Sequence, residues 1–91
     1  METVVAFTNL DDAEGSLACP VYEFDGHRMQ LKMTKRIQVG SAVKVESDYT
    51  LSLGEVSCCR REGDNYIVYV EVMQALHKVS EMARLARALL G

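Results

Sequence analysis

The side chains of this 91-residue chain best suited to chemistry are three cysteines, two histidines and a few clustered cations. Cys58 and Cys59 are adjacent, and in an extended strand neighbouring side chains point to opposite faces. The two thiols therefore cannot jointly grip one metal, Cys19 alone cannot complete a zinc site, and there is no C-x-x-C pair. The reading is one buried and one half-exposed cysteine in a strand. His27 and His77 share no motif, so surface positions are expected for both. A Cys–His catalytic couple would need a spatial contact that no spacing here implies. The glycines Gly26, Gly40, Gly54 and Gly63 are spaced as turn and bulge residues, not as a phosphate-cradling G-x-G-x-x-G. Arg60–Arg61 reads as a solvated loop edge. No enzymatic activity, resident metal or cofactor is expected.

Strands must position these residues. The stretch from Gly40 to Val72 reads as three consecutive antiparallel strands. In Ala42–Glu46, Val43 and Val45 share one face. In Leu51–Cys59 the apolar phase slips: Leu51 and Leu53 have one parity, Val56 and Cys58 the other. Gly54 lies at the slip, where a β-bulge would turn both pairs inward. A loop follows in which Gly63 can take a positive φ. Tyr66–Val72 is apolar on both faces, which predicts a central or doubly covered strand.

Upstream, Thr3–Phe7 is β-prone, and Asn9–Ser16 is an acidic turn or loop. Leu17–Phe24 reads as a strand whose Pro20, lacking an N–H, restricts it to an edge or a bulge. Asp25–Gly26–His27 is a turn. Arg28–Met33 alternates, with Met29, Leu31 and Met33 facing in. Six strands with short turns favour a small closed barrel, because closure hides the edges.

After Val72 the apolar period changes from 2 to 3.6. Met73, Leu76, Val79, Ala83, Ala86 and Leu90 form a stripe widened by Met82, Leu85 and Leu89, which predicts a C-terminal α-helix over 73–90. Its length, about 27 Å at 1.5 Å per residue, exceeds what one side of so small a barrel can cover. The surplus apolar face predicts self-association through Leu76, Val79, Met82, Leu85 and Leu89.

Composition bounds the rest. The length suits one domain over residues 1–91, with the strands within 3–72. Apolar residues at 48% and charged residues at 25% are globular values and exclude disorder. A net charge of −3 gives no general attraction to nucleic acid or an anionic membrane. Residues 1–27 hold six acids and no Lys or Arg; the remainder has ten basic against seven acidic residues. No apolar run approaches the roughly 20 residues of a spanning helix. The start of the chain lacks signal-peptide character, and an odd cysteine count argues against a disulfide framework. The expectation is a cytoplasmic protein with reduced thiols.

From Glu23 to Val72 the chain resembles the PilZ domain, the bacterial receptor module for cyclic di-GMP. The likeness is carried by Arg28-Met-Gln-Leu-Lys-Met, Val39-Gly-Ser-Ala-Val-Lys-Val-Glu, Leu53-Gly-Glu-Val-Ser-Cys-Cys-Arg and Tyr66-Ile-Val-Tyr-Val-Glu-Val. The resemblance implies a six-stranded barrel followed by a helix. It also implies a dinucleotide site made from an R-x-x-x-R segment and a D/N-x-S-x-x-G turn. Arginine forks clamp phosphate in such sites.

The matching turn here is Glu23-Phe24-Asp25-Gly26-His27-Arg28, and it departs from the family pattern. Glu23 stands for Asp/Asn, Asp25 for Ser and Arg28 for the closing Gly, and no Lys or Arg lies upstream of Arg28. Lys32-Met-Thr-Lys-Arg36 has similar spacing but follows the turn. The expected function is thus a non-enzymatic regulatory or interaction module that does not bind cyclic di-GMP in the family's manner. The rival is a receptor that still binds this or another nucleotide through Arg28, Lys35, Arg36 or Arg60.

Overall fold

The computed structural model describes residues 3–12, 15–77 and 89. Six strands are formed: β1 Thr3–Asn9, β2 Leu17–Phe24, β3 Arg28–Met33, β4 Ala42–Glu46, β5 Thr50–Glu62 and β6 Asn65–His77. They close into an antiparallel barrel in the order β1-β2-β3-β6-β5-β4. The expected meander is present as β4-β5-β6. β6 pairs with β5 on one side and β3 on the other, as each strand of the closed ring has two neighbours. β1 closes the ring by pairing with both β2 and β4.

Directly paired residues on antiparallel strands share a face, so the register shows which positions form the core. Phe7 lies opposite Val45, Leu31 opposite Val68, and Met29 opposite Val70. All six are buried. Ile37, 3% exposed, comes from the β3–β4 connection and joins the same cluster, plugging that end of the barrel. On β6 the outward position Ile67, opposite Lys32 and Arg60, is also buried, so this strand is covered on both faces there. Gly63 takes φ +61 in the β5–β6 turn, as its type allows. Pro20 pairs with Val4 of β1, while β2 pairs with β3 only from Val21 on, across an irregularity at Tyr22. The missing N–H thus falls where β2 has parted from its second neighbour. The acidic loop is tied to the start of β4: the Leu10 N–H donates to the Ala42 carbonyl at 2.8 Å, and Asp11 Oδ2 accepts the Ala42 N–H at 2.9 Å.

Two expectations are corrected. The first concerns the slip in β5. The ladder breaks twice, with Met73 as the extra residue on β6 and Ser57 as the extra residue on β5. From Ser52 to Val56 the parity of β5 does not change. Leu51 and Leu53 lie opposite Glu46 and Lys44 and so face outward, whereas Ser52, opposite Val45, is the buried residue. Beyond Ser57 the phase reverses: Cys58 is exposed and Cys59 packs against the core. Gly54 is needed for a different reason, a close approach of β6.

The second correction concerns the helix. Residues 73–77 continue β6, with Gln74, Ala75, Leu76 and His77 opposite Leu53, Ser52, Leu51 and Thr50. The start of β5 offers this segment a ladder of backbone hydrogen bonds, and that tertiary partner overrides a 3.6-residue apolar period. Leu76 is therefore an outward strand residue. The rest of the expected helix, with Val79, Met82 and Leu85, lies outside the described residues. Leu89 is described and is 84% exposed. Among the described residues no helix is long and apolar enough to cross a membrane.

Candidate functional site

The β2–β3 turn carries Glu23, Asp25 and Arg28, and each has a local partner. Asp25 Oδ1 accepts the His27 N–H at 2.9 Å and the Arg28 N–H at 2.7 Å, an Asx turn that short polar residues form readily. Those two donors hold the Asp25 carboxyl below its ordinary range, Arg28 contributing most. Asp25 N–H closes the loop on the Arg28 carbonyl at 3.2 Å, and Gly26 between them takes φ +97. The Val72 N–H donates to the His27 carbonyl at 2.7 Å, fastening the turn to β6.

Arg28 stands opposite Glu71 in the β3–β6 ladder. Its Nε donates to Glu71 Oε1 at 2.9 Å and its Nη2 lies 2.8 Å from the same oxygen. This hydrogen bond, and then the carboxylate's charge, raises the Arg28 pKa. Glu23 Oε2 accepts Gln30 Nε2 at 3.1 Å, again across a ladder pair. The three turn residues singled out from the sequence are thus brought together, with their polar groups engaged by neighbours.

The other candidate cations are elsewhere. Lys35 and Arg36 follow β3 at the end opposite Arg28, and at about 3.3 Å per strand residue that separation is roughly 20 Å. Arg36 lines a cavity with Gln38 and Cys59 there. Arg60 sits opposite Ile67, four β6 residues from Glu71, and its Nη2 is 3.4 Å from Glu62 Oε2. No single phosphate could be held by these residues and Arg28 together. The cysteines are also apart in character: Cys58 is exposed, and burial pushes the Cys19 thiol up to about 11. Among the described residues no three His, Cys, Asp or Glu side chains are grouped as metal ligands.

Glu71 is the residue that sequence reasoning missed. Its outward position was readable from the alternation of Tyr66–Val72, but its pairing with Arg28 depends on the β3–β6 register. Comparison with protein-family models, curated proteins and solved structures gives no match for this chain.

Proposed function

We propose that the chain is a non-enzymatic regulatory or interaction module, built on a PilZ-like barrel, that works by protein contact and does not take cyclic di-GMP in that family's manner. The observation that carries this reading is the Arg28–Glu71 pair beside the self-closed Asp25 turn. A phosphate reaching Arg28 must compete with a carboxylate already seated on its guanidinium. It must also approach Asp25, which is ionised and has no counter-charge upstream. A surface ion pair contributes little stability, about 0–1 kcal/mol, so its importance here is occupancy of the arginine fork.

Thermal unfolding with added cyclic di-GMP tests this. Ligand at 100 times Kd would stabilise by about 2.7 kcal/mol, a readily visible rise in Tm. No change is expected at micromolar ligand. A rise that disappears in Arg28→Ala would establish the rival, a dinucleotide receptor.

The contact half of the reading rests on apolar residues left in water near the end of the chain. Met73 is 70% exposed, Leu76 41% and Leu89 84%. These three are where a second copy would pack; Val79, Met82 and Leu85, expected at the same contact from the sequence, lie outside the described residues. Burying each large side chain is worth on the order of 1.5–3 kcal/mol.

A further inference from the structure

The two ends of the barrel are finished differently. Ile37 plugs the end near the β3–β4 connection. At the other end, inward positions carry small side chains: Thr3 on β1, Ser52 on β5 and Ala75 on β6. They leave a cavity of about 450 Å³ opening between the β2–β3 and β4–β5 turns, floored by Val5, Val21 and Met29. Its volume falls within the roughly 300–1,000 Å³ of small-molecule sites, which are mostly apolar with a few placed polar groups.

The polar groups are hydroxyls. Ser52 is 4% exposed and faces the same interior as the apolar core residues Val5, Met29 and Val45. Among the described residues no hydrogen bond engages its hydroxyl, yet no fully enclosed side-chain oxygen is left unsatisfied, so this oxygen is reached from the cavity. At the rim the Ser47 and Thr50 hydroxyls are bonded to each other at 2.9 Å. Among the described residues no ionisable side chain lines the space. A carboxylate or ammonium entering it would lose water without gaining a counter-charge, at a large cost. An aliphatic chain ending in an uncharged hydroxyl or carbonyl would not.

We propose that this open end of the barrel binds a neutral amphiphile, an aliphatic chain of medium length with an uncharged hydrogen-bonding head directed to Ser52. The proposal does not depend on the functional reading above, since it uses the barrel's interior and not the outward Arg28–Glu71 pair.

The probe is N-phenyl-1-naphthylamine, a neutral dye that brightens in apolar sites, titrated into the full chain. Saturable binding of one dye per chain at low micromolar concentration is expected. Decan-1-ol should displace it, and decanoate at neutral pH should do so at least tenfold less effectively. Ala75→Trp, which fills the mouth from β6, should remove binding while circular dichroism and melting show an intact barrel. If that variant fails to fold, Ser52→Leu fills the same space from β5 and carries the same expectation. Absence of saturable binding would overturn the proposal. So would undiminished binding in a folded mouth-filled variant, or decanoate matching the alcohol.

Discussion

Gly54→Ala should destabilise the barrel by about 3 kcal/mol or more, lowering Tm by roughly 10–20 °C for a domain of this size. A β-carbon at this position would collide with the Glu71 carbonyl oxygen and lie 3.0 Å from Val70 Cγ1. The backbone oxygen belongs to β6, which is held on both sides and cannot retreat without breaking a ladder. The glycine's φ is not the issue, because it is not among the positive values. Even the smallest added side chain is therefore excluded by space. A melting temperature within about 2 °C of wild type would show that β5 and β6 do not approach this closely.

Phe7→Ala should cost about 3–5 kcal/mol, the range for deleting a buried phenyl ring. Total stability is expected at about 0.05–0.15 kcal/mol per residue, so the loss would be about a fifth or more of the whole for 91 residues. Phe7 is 1% exposed, and its strand, paired with β2 and β4, closes the ring. The cavity it would leave therefore lies where β1 seals the core. Urea unfolding measures this directly. A change below about 1 kcal/mol would mean that β1 is peripheral and the barrel is held without it.

Where a strand pairs simply, its face was legible from sequence. Met29, Leu31 and Met33 alternate cleanly, and all three are buried. Leu51 and Leu53 were misassigned because an apolar type does not identify the inward parity; the partner strand does. Val43 and Val45 face in, and the register sets Ser52 and Gly54 against them, leaving the leucines outside. The two irregularities, at Ser57 and Met73, are likewise properties of a strand pair. The same limit explains the lost helix start. Met73 and Leu76 fit a 3.6-residue period, yet β5 extends far enough to pair residues 74–77.

Of the candidate site, the turn was legible, because Asp25 and Gly26 have the side chain and the conformational freedom an Asx turn needs. What occupies Arg28 was not, because Glu71 is 43 residues away in the chain. The open barrel end was not legible either. Thr3, Ser52 and Ala75 lie on three strands, and only closure brings their small side chains to one place.

With Arg28 already held by Glu71, the proposed function is one of protein contact, and a second copy of the chain is the partner proposed first. Sedimentation equilibrium at tens of micromolar measures this most directly. The wild-type chain is expected to run as a dimer or higher oligomer. Leu76→Glu combined with Leu89→Glu should convert it to monomer with its β circular-dichroism signal retained, because carboxylates at a contact would have to be desolvated. A wild-type chain that sediments as a monomer across this range would contradict the account.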